Sequence, residues 1–257
     1  MSYHLYDNKQ IIRAFGPDCI NFLQGQLTND ITLLNSNNTI QLNALCNQKG
    51  RVIALLFIGY VAENELLLAL PNNLVNRMLE TLKKYSLFSK ISFEVCTDYQ
   101  LVYSSNKNEQ GFLLQHGIIN MTKHHIKSTI NLYSVKKDNI FQKLPIINID
   151  NTEIFLPAEL NLDQFNAVNY QKGCFMGQEI IARMKYRGNL KKELLSIETK
   201  SRILSTNKLQ DIEGKKIADI VNYIIIKNHS YILAVFNQKI DNKLILLHGN
   251  MSAKVIA

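Results

Sequence analysis

The sequence lacks every pairing of cysteines that a zinc knuckle or a disulfide framework would need. Its four cysteines, Cys19, Cys46, Cys96 and Cys174, lie far apart and form no C-x-x-C. Cys19, Cys46 and Cys96 stand among apolar neighbours and read as core residues. A reduced cytoplasm is the expected compartment. Long hydrophobic runs are missing too: no window approaches the roughly 18 apolar residues of a membrane span, so no membrane association is expected. The first ten residues hold no basic stretch ahead of an apolar run, which argues against a secretory signal. There is no internal repeat and no low-complexity tract. Tryptophan is absent, and charged residues make up only 19% of the chain.

What is present suffices for a real core. At 257 residues and 46% hydrophobic, the chain can form one large or two smaller domains. The formal net charge of +8 favours an anionic partner such as RNA or a polyanionic cofactor, or else serves solubility.

Ile11 to Phe15 reads as a strand closed by Gly16-Pro17-Asp18. A helix follows, with Cys19, Phe22, Leu23 and Leu27 at helical spacing and Pro17 and Asp18 suited to its first turn. Thr39 to Cys46 and Arg51 to Tyr60 read as strands around the turn Asn47-Gln48-Lys49-Gly50, and Glu65 to Leu70 as another. A second helix after Pro71 sets Leu74, Met78, Leu79, Leu82 and Tyr85 on one face, and Ile91 to Cys96 is a further strand. This order is the split βαβ signature of a ferredoxin-like lobe with one extra strand. Beyond the polar stretch Ser104 to Gln110, Gly117 to Asn120 and Thr129 to Val135 read as short strands and Pro145 to Ile149 as an apolar run. From Leu190 onward the pattern holds strands and no clear helix: Leu194 to Glu198, Ala218 to Ile226, Tyr231 to Phe236 and Leu244 to Leu247. A small all-β domain, read as a barrel, is the economical interpretation. The expected fold class is α+β, with a core over 1–188 and the barrel over 189–257.

The chemistry concentrates in Lys172-Gly-Cys-Phe-Met-Gly-Gln-Glu179. Gly173 and Gly177 permit a tight loop around Cys174. A helix is expected to start near Gly177, with Ile180, Ile181 and Met184 as its apolar stripe. Glu179, Arg183 and Arg187 follow at i, i+4 and i+8, which predicts one ion pair, and Gly188 is placed at its C-terminal cap. A position near a helix N-terminus and close to Lys172 favours a Cys174 thiolate. A small residue packed between glycines explains the same pattern, so both readings stay open. No histidine is near in sequence, and His124-His125 reads as a surface loop pair. Between Lys172 and Glu193 six basic residues face two acidic ones, half of the chain's net excess. They suit phosphate or carboxylate contact, or simply a solvated helix face.

These residues resemble the K-G-C-[YF]-x-G-Q-E signature of the YgfZ family, folate-binding-type proteins related to the T-protein (aminomethyltransferase) of the glycine cleavage system. The likeness extends to Phe22-Leu-Gln-Gly-Gln-Leu-Thr-Asn-Asp30, to Cys46-Asn-Gln-Lys-Gly-Arg51, and to Leu82-Lys-Lys-Tyr85 with Phe88-Ser-Lys90. Phe155-Leu-Pro157 with Leu160-Asn-Leu162 continues it. The resemblance implies a ring of two interlocked ferredoxin-like lobes and a C-terminal β-barrel around a folate-sized cavity. It implies tetrahydrofolate or a derivative as ligand, with Asn29, Lys172, Gly173, Gly177, Gln178, Glu179, Arg183 and Arg187 as residues holding folate or an anion. Cys174 is its functional cysteine. Partners implied are iron–sulfur enzymes or their assembly factors, with effects on tRNA modification and tRNA processing, and a direct contact with tRNA is the alternative. A monomer is expected, with no bound metal. Without tryptophan, a pterin ring must stack on Phe, Tyr or Arg. Arg51 to Phe57 holds no carboxylate where the T-protein keeps its catalytic aspartate, which argues against aminomethyl transfer.

Overall fold

A computed structural model describes residues 3–6, 8–123, 126–129, 132–188, 190–203, 207–240, 244–249 and 251–256. The His124-His125 pair lies outside the described residues. The chain begins with β1 (Tyr3–Leu5) and β2 (Lys9–Phe15), then α1 (Cys19–Gln26). Next come β3 (Ile40–Cys46), β4 (Val52–Ala62) and β5 (Glu65–Pro71), followed by α2 (Val75–Tyr85) and β6 (Ser92–Cys96). β7 (Gln100–Ser104), β8 (Phe112–Leu114) and β9 (Gly117–Thr122) precede α3 (Leu132–Phe141) and α4 (Gln178–Arg187). The chain closes with β10 (Glu193–Thr199), β11 (Lys208–Gln210), β12 (Lys216–Ile226), β13 (His229–Phe236), β14 (Leu244–Leu247) and β15 (Met251–Ile256).

Three antiparallel sheets result, in the orders β1-β7-β9-β8, β3-β4-β5-β2-β6 and β11-β12-β13-β10-β15-β14. The first sheet takes β1 from before the five-stranded sheet and β7 to β9 from after it, so the two are interleaved in sequence. β3 is buried along its whole length, and β4 along its first eight residues. On α2 the apolar spacing does what it predicts: Val75, Met78 and Leu82 are buried, while Tyr85 at the end is exposed. Cys19, Cys46 and Cys96 are core residues as expected.

The C-terminal sheet is shared between two cores. Along β13, Tyr231, Leu233 and Val235 join the large core of the other two sheets, and Ile232, Ala234 and Phe236 join a separate one. That is the period of a strand buried on both faces. One backbone hydrogen bond, from His248 N to Gln210 O, links the turn after β14 to the β11 edge.

Four expectations need correction. Thr129 to Val135 is not a strand: α3 starts at Leu132 and packs against β12 and β13, so tertiary context overrides the β-branched local sequence. Asp18 precedes α1 and makes no side-chain cap; its carboxylate instead accepts from Lys90 N at 2.7 Å, tying the helix start to the approach to β6. Gly188 is extended (φ −81°), not left-handed, and its requirement is space, because a Cβ there would meet Met184 O at 2.5 Å. No ion pair joins Glu179 to Arg183 among the described residues; both are exposed, where such a pair is worth little.

Candidate functional site: a neutral cavity beside an anchored cysteine loop

The loop that carries Cys174 is held by the C-terminal end of α1. A helix leaves its last carbonyls without partners, and here three segments supply them. Leu27 N bonds Leu23 O, Met176 N bonds Gly25 O at 3.1 Å, and Lys172 Nζ donates to Gln24 O at 2.6 Å. The same ammonium donates to Leu27 O at 2.9 Å and Asn29 O at 2.8 Å. A cation at the negative end of a helix is electrostatically favoured. Burial pushes Lys172 down from 10.5 to about 8, and Asp30 pulls it the other way. Its three carbonyl acceptors also hold the charged form. Lys172 is therefore buried and committed to the loop's anchorage.

The other side of the loop rests on the β3–β4 turn. Gly177 takes φ +78°, and a Cβ on it would stand 2.6 Å from Asn47 O and 2.9 Å from Gly50 Cα. Both conformation and contact demand glycine there. Gly173 has open space around it, and Cys174 is exposed. Arg51, at the end of that turn, donates to Ile154 O at 2.6 Å and pairs with buried Glu159 at 3.2 Å. Lys192 pairs with the same carboxylate at 3.1 Å. The sequence motifs around residues 22–30, 46–51, 155–162 and 172–179 are thus parts of one assembly.

Next to it lies a cavity of about 630 Å³, within the usual range for a small-molecule site. Asn29, Gln41, Gln164, Asn166, Asn169 and Gln171 give its wall amides, and Phe112, Phe165, Tyr170 and Tyr186 give it aromatic faces. Phe112 and Phe165 lie with ring centroids 6.5 Å apart, Tyr170 and Tyr186 5.9 Å apart. Asp163 accepts from Tyr170 Oη at 2.9 Å and from Lys185 Nζ at 2.6 Å, which fixes the tyrosine from behind. Burial, with that carboxylate, pushes the Tyr170 phenol up. Among the described residues, no Asp, Glu, Lys, Arg or His lines the cavity.

Of the sequence-predicted site residues, Asn29 alone lines it. Its amide is already engaged: Nδ2 donates to Leu42 O at 3.3 Å and Oδ1 accepts from Asp30 N at 2.8 Å. Lys172, Gly173, Cys174, Gly177, Gln178, Glu179, Arg183 and Arg187 stand outside the wall. Arg183 and Arg187 are exposed on α4, and Arg187 directly follows Tyr186 of the cavity mouth. Sequence reasoning missed Gln41. It is buried on β3, lines the cavity, and its Nε2 has no hydrogen-bond partner. Its signal was a polar residue inside an otherwise apolar strand, repeated two positions on by fully buried Asn43.

The fold is similar to that of the glycine-cleavage aminomethyltransferases. The solved aminomethyltransferase T of Bartonella henselae superposes with a TM-score of 0.75 over 100% of this chain and 85% of that one, at 14% identity. By sequence the chain is similar to the YgfZ proteins, which bears out the resemblance read from its motifs. The tRNA-modifying protein YgfZ of Blochmanniella pennsylvanica is 28% identical over 224 residues, 72% of this chain and 67% of that protein. YgfZ of Yersinia pseudotuberculosis is 27% identical over 226 residues, 73% of this chain and 68% of its own. An uncharacterized protein of Haemophilus influenzae is 28% identical over 249 residues, 91% of this chain and 88% of that one. No protein-family model matches the sequence. Among the described residues, no helix is long and apolar enough to cross a membrane.

Proposed function

We propose that this chain is a YgfZ-like protein that binds a tetrahydrofolate-type molecule in the neutral cavity and supports tRNA modification through iron–sulfur enzymes. The observation that carries the ligand reading is Gln41 Nε2, a buried donor without a partner in a cavity of amides and aromatic rings. A buried unpaired donor is costly, and a heterocyclic carbonyl or ring nitrogen would satisfy it. A pterin would stack on the Phe and Tyr faces. The glutamyl carboxylates would leave through the mouth, where Tyr186 and Arg187 stand, because the wall offers them no cation. We read the five-stranded sheet with α1 and α2 as a ferredoxin-like lobe and the C-terminal sheet as the barrel of a T-protein-like ring.

The cavity wall supplies no acid or base, so one-carbon transfer is the weaker reading. Cys174 is the group offered to a partner: an exposed thiol able to accept or transfer sulfur, or to touch a cluster transiently. Among the described residues no three His, Cys, Asp or Glu side chains gather to hold a metal, so any cluster contact through Cys174 would need ligands from the client. Titration calorimetry with 5-formyl-tetrahydrofolate tests the ligand. Saturable binding weakened on the order of tenfold by Gln41→Leu is expected; unchanged affinity in that variant would remove Gln41 from the site. In cells, Cys174→Ala should lower cluster-dependent tRNA modification as a deletion does, and full activity would make the cysteine structural.

Direct tRNA contact is the second reading, favoured by Arg183 and Arg187 exposed on α4. It requires a steep loss of tRNA affinity with salt, and a flat dependence would end it.

A further inference from the structure

A second cavity, chemically unlike the first, lies at the seam between the two interleaved sheets. The chain crosses this seam twice, from β1 into β2 and from β6 into β7, and both crossings contribute walls. The cavity measures about 350 Å³, and Leu5, Ile11, Val95 and Leu101 give it apolar sides. Lys9, the first residue of β2, lines it. Among the described residues, neither Asp nor Glu lines this cavity, and Lys9 Nζ makes no hydrogen bond or ion pair. The contrast with Lys172 is sharp, since that ammonium has three carbonyl acceptors.

Lys9 also lines a small enclosed space of about 20 Å³ directly behind, together with Asn139. Asn139 is 1% exposed, and its Oδ1 has no partner. A space of that size admits a single water, which could join the amide oxygen to the ammonium. The other ammonium protons would still lack an acceptor. An ammonium surrounded by protein without a counter-charge is costly to keep. The cost shows in Lys9 itself, which burial pushes from 10.5 to about 8 although part of the side chain reaches solvent.

We propose that the seam cavity is a binding site for a small monocarboxylic acid with an apolar body, its carboxylate held by Lys9. The carboxylate supplies the missing counter-charge and two acceptor oxygens, and the aliphatic walls take the hydrocarbon part. Inorganic phosphate fits less well, because it would leave the apolar walls uncovered and find a single cation. The site is separate from the neutral cavity and does not depend on what that cavity binds.

The test uses the full chain with hexanoate, neutral hexanamide and inorganic phosphate, read by calorimetry and by amide NMR shifts. Hexanoate should bind, with shifts confined to residues 5–11 and 95–101, and hexanamide should bind on the order of tenfold more weakly. Lys9→Met, which removes an uncompensated charge and so keeps the fold, should lose hexanoate by a similar factor. Its binding of 5-formyl-tetrahydrofolate should be unchanged. Hexanoate affinity should also fall as pH rises past about 8. Tyr6, Tyr99 and Cys96 are the other titratable groups on the cavity wall. Equal binding of acid and amide, phosphate bound more tightly than hexanoate, undiminished hexanoate binding by Lys9→Met, or no binding at about 10 mM would each overturn the proposal.

Discussion

Lys172 Nζ lies 2.6 Å from Gln24 O, 2.9 Å from Leu27 O and 2.8 Å from Asn29 O. Its effect on Cys174 is thus to fix the loop and not to donate to the sulfur. The sequence showed a lysine two positions before a cysteine, and proximity suggested thiolate activation. It could not show acceptors that stand more than 140 residues away in the chain. Lys172→Met keeps the aliphatic stem and removes the donors, leaving buried carbonyls unpaired. A loss of about 2 kcal/mol is expected by urea denaturation, with more than one carbonyl affected. Cys174 is the opposite case, exposed and without a packing role. In the native protein iodoacetamide should label Cys174 and spare Cys19, Cys46 and Cys96. Burial also pushes the Cys19 thiol up to about 12 and the Cys46 thiol higher still. Peptide mass mapping reads the result, and labelling of a core cysteine at the same rate would contradict the burial. Cys174→Ala should change stability by less than about 0.5 kcal/mol.

Between elements, the fold is held by connections that the motifs announce without explaining. The run around residues 22–30 and the run around 172–179 are joined by Lys172 and Met176 at the end of α1. Thr28 Oγ1 adds a bond to Ala167 O at 2.7 Å while accepting from Ala44 N at 2.9 Å. Long, strongly periodic elements such as α2 and β4 were legible because their burial follows their own sequence. α3 was not: its ten residues show almost no apolar stripe, and its neighbours β12 and β13 decide it. β1, β8 and β11 span three residues each, too short for alternation to speak. The cavity was expected and its size was right, but its wall was not legible, because it draws on β3, the segment before β8 and the turns around 164–171. Gly177→Ala tests the element contact that the signature glycine serves. It forces a left-handed residue and a Cβ against Asn47 O, a backbone atom that cannot swing aside. A destabilisation of about 2 kcal/mol or more is expected. Gly173→Ala, with open space around it, should cost less than about 1 kcal/mol in the same denaturation series.

At the scale of the whole molecule, opposing groups set the dependence of stability on pH. Glu153, held by Asn47 and Arg77, titrates below the usual carboxylate range, so its contribution is present at neutral pH and is lost as pH falls through its folded value. Lys9 works on the other side. Its folded value of about 8 lies below its usual 10.5, so between these values the unfolded chain binds more protons and stability rises with pH. Lys9 carries this rise more than Lys172, since the carbonyls around Lys172 hold its charge. The rise does not continue. Cys19 and Cys46 are raised above 9.0 and Tyr6 above 10.0 in the fold, so the unfolded chain loses those protons first and stability falls once pH passes 9. Together they place the maximum between about 8 and 9, on the alkaline side of the range where most globular proteins peak. Urea denaturation across pH 6 to 10 should show it. Lys9→Met should raise stability most at neutral pH, flatten the climb above pH 8, and leave the fall beyond 9 in place. A variant with the same profile as the natural chain would mean that the Lys9 ammonium is solvated and that the seam imposes no charge penalty.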